Sequence, residues 1–437
     1  MTDLSAPATE AAYPPRAYAW TVVGILVLTA ILSYTDRQVL SLVVDPIRAD
    51  LGIDDNSMSL LLGTAFALIY GTAGIPLGML ADRVSRRNLI LAGVLIWSLG
   101  TLACGLSHSF TQLFAGRIVV GLGEAVLSPA AISLISDYFP PARRGAAVGL
   151  FLTGIAIGVG GAIVIGGGVL HLVNGGLLAD TPLAGEAPWR LLLLVIGAPG
   201  ILWSLAILVI REPIRRARGE PTQGGAGPVD LAGWLRLAPI FLAVAMASFV
   251  DNAVGAWSPT LLIRKFGADP AEIGVQLGVL LMIGFGGGVL GGGILADRFG
   301  ARGGGPAKIL LCLIAGLLVL PAGYAMTSDR FGLTLAAIPV YFALSGAVTA
   351  AGFSAILDFV PNRSRGLAMA VSFFLNVALG AGLGPTAVSV AENGLFDPQT
   401  GLAPALALTV ACGYGVACAA LLLQRLLFAR SRGLNPV

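Results

Sequence analysis

"GMLADR" at 78–83 returns as "GILADR" at 293–298, 215 positions later. A second pair, "DYFPPARRG" at 137–145 and "DFVPNRSRG" at 358–366, recurs at a spacing of 221, and the glycine-rich "ARGGGP" at 301–306 accounts for the difference. The spacing carries Asp36 onto Asp251 as well. The chain therefore reads as two related halves joined in tandem, and its fold has to be built from one unit used twice.

Composition says what the unit is. Of 437 residues, 56% are hydrophobic and 11% charged, against about 25% charged in ordinary soluble domains. A bilayer core needs about 20 apolar residues per helix. Twelve such runs occur, at about 19–44, 57–81, 88–107, 112–136, 146–171, 189–210, 237–263, 273–296, 307–327, 332–357, 366–391 and 403–427. The 60 glycines suit helices that must approach closely without water to drive them together. Polar residues 211–236, "REPIRRARGEPTQGGAGPVDLAGWLR", separate the sixth run from the seventh. The expected architecture is an all-α membrane protein of twelve transmembrane helices in two pseudo-symmetric six-helix bundles. It comprises a tail at 1–18, bundles at 19–210 and 237–427, a linker at 211–236 and a second tail at 428–437.

Basic residues orient it. With the N-terminus in the cytoplasm, that side collects 19 of the 26 lysines and arginines; Arg48, Arg190, Arg264, Lys265 and Arg330 face the other side, and Arg37 and Arg117 fall inside the membrane. Both termini and the linker are then cytoplasmic, in the plasma membrane, or the inner membrane of a bacterium. Residues 1–18 lack the charged start and apolar core of a secretory signal. A net charge of +3 gives nucleic acid no footing.

Chemistry of other kinds finds little support. Cys104, Cys312, Cys412 and Cys418 stand singly in apolar runs and His108 and His171 lie near helix ends, which argues for packing and against a metal. The chain has no GxxxxGK[ST] loop, and "GGGVLG" at 286–291 lies inside an apolar run, where it reads as helix packing. Nothing pairs a nucleophile with a base, so an enzyme is not expected. No cofactor is expected either, and a proton gradient is the expected energy source. A non-transporting receptor would leave the duplicated aspartates without a purpose. The expected partners are a small amphiphilic substrate, protons and membrane lipids, around a monomer.

Five ionisable residues fall deep in the runs: Asp36, Arg37, Arg117, Glu124 and Asp251. Each costs about 2.5–3.5 kcal/mol at a helix centre, so all must face the interior and find partners there. Asp36 and Arg37 are adjacent and point about 100° apart, so their partners lie on other helices. Asp36 and Arg117 are expected to meet at similar depth. Three acids against two arginines leave one carboxylate in surplus, and burial disfavours a charged carboxyl, so protonation would restore neutrality. Asp36 is the first expected proton carrier, Glu124 the second and Asp251 the third; a static network fixing helix register is the competing reading. Arg37 and Arg117 offer forked donors to an acidic head group. Tyr34, Thr35, Ser128, Asn252, Trp257 and Asn376 are expected to line the same site.

These motifs resemble the major facilitator superfamily. "GMLADRVSRR" matches its loop signature with Ser85 in place of the second glycine, and "RIVVGLGEA" at 117–125 matches its fourth-helix signature. Within it, "YTDRQVLSLVVDPI", "RIVVGLGEAVLSPAAISLISDYFPPARRG" and "SRRN" look like the spinster family, whose animal members export sphingosine-1-phosphate or lysophospholipids. The fifth run has the glycine spacing of the drug-antiporter signature but lacks its proline. The resemblance implies a proton-coupled transporter of an anionic amphiphile working by alternating access; a proton-coupled organic-anion symporter or a drug exporter of the same superfamily is the alternative. It also implies a cytoplasmic latch of Gly78, Asp82, Arg83, Arg86, Asp137, Arg144, Asp297 and Arg298.

Overall fold

The computed structural model describes residues 13–81, 83–215, 231–360, 364–397 and 400–433, and those residues form helices and connecting turns. The first half contributes α1 (Arg16–Leu42), α2 (from Asp55–Ser59 through Leu60–Thr64 to Ala65–Ala81), α3 (Arg86–Gly105), α4 (Phe110–Tyr138), α5 (Pro141–Asn174) and α6 (Pro188–Ile207). In the second half α7 is Leu231–Phe266, α10 is Phe331–Phe359, α11 runs from Arg365–Leu375 through Asn376–Ala381 to Gly382–Leu395, and α12 is Leu402–Gly433.

Between α7 and α10 lies one 56-residue apolar segment, Pro270–Ala325, twice too long for one crossing at about 1.5 Å per residue. Gly304, at φ 61° and ψ −155°, divides it. Only glycine takes that backbone without strain, and the chain reverses there to give α8 (270–303) and α9 (305–325). With that division the eleven apolar helical segments among the described residues make twelve crossings. The helix ends carry their own caps: Ser85 accepts from the Asn88 N–H to start α3, Ser109 from Gln112 to start α4 and Asp269 from Ala271 and Glu272 to start α8. Asp54 caps α2, and the Ser57 hydroxyl and backbone N–H hold its carboxyl below the usual range.

Helix bounds run beyond the apolar runs. Helix α5 starts at 141 instead of 146, α7 at 231 instead of 237, and α12 continues to 433, into the expected tail, whose residues 434–437 lie outside the described residues. A hydropathy window marks the lipid-covered part of a helix, and these helices carry polar turns past it. Within the expected tail and linker, residues 1–12 and 216–230 lie outside the described residues.

The duplication is visible in side-chain detail at the end of the molecule that carries the termini. Arg86 pairs with Asp137 and bonds the Ser133 hydroxyl at 3.1 Å; Lys308 pairs with Asp358 at 2.7 Å and bonds the Ser354 hydroxyl at 2.9 Å. Asp137 and Ser133 map onto Asp358 and Ser354 at the spacing of 221 read from the motifs.

At the opposite end the halves are joined. Helices α5 and α8 meet glycine to glycine: a Cβ on Gly160 would lie 2.4 Å from the Gly278 carbonyl, and one on Gly274 2.8 Å from Gly167 Cα. Helix α2 meets α11 through Gly63, whose Cβ would lie 2.3 Å from the Ala381 carbonyl, and Thr64 donates to the Gly382 carbonyl at 2.8 Å. Arg264 of α7 reaches Asp45 at 2.7 Å and Asp55 at 2.8 Å, with Glu392 of α11 at 3.7 Å and Arg48 bridging Asp45 and Asp55. The conformation is closed at the end away from the termini.

Candidate functional site

The site begins with irregular backbone. Helix α1 tightens from Arg16–Gln38 into a 3-10 turn at Val39–Leu42, and α2 opens into a π turn at Leu60–Thr64. Carbonyls at such transitions lose regular helical donors, and in a membrane they must find others. Arg117 of α4 supplies them: Nη1 donates to the Asp36 carbonyl and Nε to the Leu61 carbonyl, each at 3.2 Å. It is 1% exposed. Its bond to Asp36 thus goes to the backbone carbonyl, where the expectation was a meeting with the carboxylate. Two of its nitrogens are committed to backbone that the helices themselves leave short, while Nη2, beside the Asp36 carboxyl, is buried without a partner among the described residues.

Arg37 has the free hand. Its Nη2 lies 2.7 Å from Glu124 Oε2, with 16% of the Arg37 side chain exposed and none of Glu124. The guanidinium sits 3.9 Å above the Phe66 ring centroid, 4.6 Å from Tyr34 and 5.4 Å from Tyr70, a set of cation–π contacts that fixes its plane. Glu124 ends the first part of α4, Phe110–Glu124, where the helix breaks before Leu127–Tyr138. Pro129 has no N–H for the Ala125 carbonyl, which accounts for the break. The other oxygen, Glu124 Oε1, is buried without a donor, as is Asp36 Oδ1 on a residue 4% exposed. Thr101, Arg117 and Glu124 surround the Asp36 carboxyl.

The charge count changes with these positions. Asp36, Arg37, Arg117 and Glu124 are balanced within the first half. Asp251 stands apart in the second, where its Oδ1 accepts from Tyr341 at 2.8 Å and from Ser345. The surplus carboxylate is Asp251, and the pool of five charges read from the sequence is two separate sets.

The remaining expected site residues divide. Tyr34 stacks on Arg37, and Ser128 is half-buried on α4. Asn252 donates to the Ser248 carbonyl at 2.9 Å, and Asn376 opens the π turn of α11, its carbonyl accepting from Ser248 at 3.3 Å. Thr35 and Trp257 are buried and hydrogen-bonded to backbone. The Thr35 hydroxyl bonds back to the Ile31 carbonyl at 2.9 Å inside its own helix, and fully buried Trp257 ties α7 to α11 by donating to the Pro385 carbonyl at 2.9 Å.

In the latch, Arg86 is 1% exposed and bonds Asp137 and, at 2.7 Å, Glu212. Glu212 also accepts from the Ser85 hydroxyl and the Arg87 N–H, each at 2.9 Å. Burial pushes its carboxyl up, but the Arg87 N–H, Arg86 and Ser85 together hold it below the usual glutamate range. Gly78 brings α2 toward Pro129 of α4, while Arg83, Asp297 and Arg298 are exposed. Asp82 lies outside the described residues, as does the side chain of Arg144.

Sequence reasoning missed Phe66, Tyr70, Glu212, Tyr341 and Ser345. Signals for some of them existed: Phe66 and Tyr70 are four apart on one helix face, and Ser345 is the counterpart of Glu124 at the spacing of 221. Groups of three or more His, Cys, Asp or Glu able to hold a metal do not occur among the described residues.

A membrane protein of twelve helices, duplicated, with a charged pair between its first and fourth helices, is a transporter in design. Residues 26–385 match the Major Facilitator Superfamily, and the chain belongs to that family. It is 29% identical over 390 residues to an MFS-type efflux pump of Mycolicibacterium smegmatis, covering 87% of this chain and 86% of that one. It is 28% identical over 314 residues to a probable L-galactonate transporter of Escherichia coli, covering 68% and 66%. A crystal structure of a bacterial homologue of the human lysosomal transporter Spinster, inward-facing and occupied, superposes with a TM-score of 0.76 at 27% identity over 96% of this chain and 98% of that one. The protein is thus a spinster-like membrane transporter of small molecules, with no enzyme activity or cofactor in its design.

Proposed function

We propose that this protein moves an anionic amphiphile of the sphingosine-1-phosphate or lysophospholipid type across the membrane by alternating access, coupled to protons. The observation that carries the reading is the Arg37–Glu124 pair at 2.7 Å inside the Phe66, Tyr34 and Tyr70 rings. An acidic head group and Glu124 compete for the same guanidinium, whose planar fork suits phosphate. If the anion takes Arg37, Glu124 is left as a buried carboxylate beside Asp36, and a proton on either one removes that cost. Glu124 therefore moves ahead of Asp36 as the proton carrier. The aromatic wall favours an apolar chain next to the head group.

The excess of basic residues at the end bearing the termini supports a cytoplasmic location for that end. Closure at the other end, through Arg264 and the glycine contacts, supports an inward-facing conformation, which we assign to a monomer in the plasma membrane. A second reading, a proton-coupled symporter of small organic anions, is favoured by the similarity to a probable L-galactonate transporter and uses the same arginine. Binding of sphingosine-1-phosphate, a lysophospholipid and a hexuronate to the purified protein separates them. The lipids are expected to bind at least about tenfold more tightly, and preference for the hexuronate would transfer the assignment to the second reading.

A further inference from the structure

The carboxylate of Asp251 is not used by this scheme. On α7 the exposed Leu235 and Leu242 mark the lipid side. At about 100° per residue, Asp251 lies about 180° from Leu242 and faces the interior. It shares a half-buried face with Ser248, Asn252 and Gly255.

Both of its hydrogen bonds, from Tyr341 and Ser345 of α10, fall on Oδ1, and Oδ2 receives none among the described residues. Tyr341 and Ser345 are fully buried, so the carboxyl is held from one side and left open on the other. Among the described residues no lysine or arginine pairs with it. The duplication shows what is missing. Asp251 is the counterpart of Asp36, but the position matching Arg37 is Asn252 and the one matching Arg117 is Ile338. The second half has kept the acid and lacks both cations. One turn back on α7, Ser248 donates to Asn376, whose own Oδ1 is buried without a donor. This side of the molecule presents acceptors, fixed in place, that lack a positively charged donor.

We propose that Asp251 seats a cationic amino group of the substrate, so that the transported amphiphile carries an ammonium as well as an acidic group. The inference rests on the reading above, in which Arg37 takes the acid. Two hydroxyl donors fix the carboxyl in place through Oδ1, and an ammonium adds a charge-assisted bond to the open oxygen. Lysine-free and arginine-free surroundings make an incoming cation the group that neutralises it.

Two lipids differing only in this charge test it: sphinganine 1-phosphate, and the same lipid acetylated on nitrogen. Their binding is measured to the full chain in lipid nanodiscs, for the wild type, D251N and D251E. The wild type is expected to prefer the free amine by about tenfold or more. D251N is expected to bring the ratio near one by losing affinity for the amine alone, and D251E to retain the preference. Retained binding of the acetylated lipid shows that the variant is folded. A wild-type ratio near one, or equal loss of both lipids in D251N, overturns the inference and leaves the transport reading standing. A sodium dependence that D251N abolishes, without an amine preference, would assign the carboxylate to an inorganic cation and overturn it as well. Failure of the wild type to bind either lipid would overturn the transport reading itself.

Discussion

Arg37 and Arg117 look alike in the sequence and are used in opposite ways. Both are arginines in apolar helices, but Arg117 spends Nη1 and Nε on the Asp36 and Leu61 carbonyls while Arg37 keeps an exposed edge and a partner it can exchange. The presence of charges in the membrane was legible, since periodicity and cost force them inward. Their pairing was not: it turns on a 3-10 tightening in α1 and a π turn in α2, beside which Arg117 takes the Asp36 and Leu61 carbonyls. Arg37→Lys is expected to weaken lipid binding by about tenfold or more, because a point-like ammonium cannot fork between Glu124 and an anion or lie flat on Phe66. Titration of the lipid against both proteins checks this. Glu212 gives a prediction about pH. Its carboxyl is held below the ordinary glutamate value of about 4.5, so its contribution to stability is fully present above that value and fades as pH falls through the lower folded-state value. Thermal melting from pH 7 to pH 3 should show a loss on acidification that is shallower in Glu212→Gln, whose melting temperature is already lower at pH 7. Identical profiles would remove Glu212 from the latch.

At the level of helices, the apolar runs located the crossings and missed their interruptions. Hydropathy is blind to a π turn, since the residues of Leu60–Thr64, Met282–Gly286 and Asn376–Ala381 are as apolar as their neighbours. Two of these turns lie where α2 and α11 meet across the halves, beside Gly63 and Ala381. Glycine content was legible as close packing, but which glycines touch depends on helix rotation. Gly278 leaves room for the Gly160 carbonyl, 2.6 Å from where its Cβ would stand. Gly278→Val should force α5 and α8 apart and cost the closed conformation about 1–3 kcal/mol, seen as a widened distance between spin labels on the two helices at the closed end. An unchanged distance would mean that the contact tolerates a side chain. Gly304 is a different case, because its positive φ is a backbone demand; Gly304→Ala should lower the melting temperature with no effect on lipid affinity.

Taken whole, the molecule is two copies of one design that have diverged in charge. The latch survives in both, as Arg86–Asp137 and Lys308–Asp358. The membrane charges do not, since the first half holds a balanced set and the second a lone acid. The repeat made the architecture legible from two short motifs; the conformation was not legible, because it depends on which end of the interface is closed. Arg264 holds that closure against Asp45, Asp55 and Glu392. Arg264→Ala leaves three acids with Arg48 alone and should open that end. A cysteine at Ser59, buried beside Thr386, should then react with a thiol reagent at least about tenfold faster than with Arg264 present, in a background where the exposed Cys412 is replaced by serine.

Coupling between the buried carboxylates and protons is tested most directly in liposomes holding the purified protein, a lipid gradient and a pH indicator. The wild type should move protons whenever lipid moves, Glu124→Gln should bind lipid without that proton flux, and Asp36→Asn should reduce it. Proton movement at the wild-type level in both variants would contradict the account.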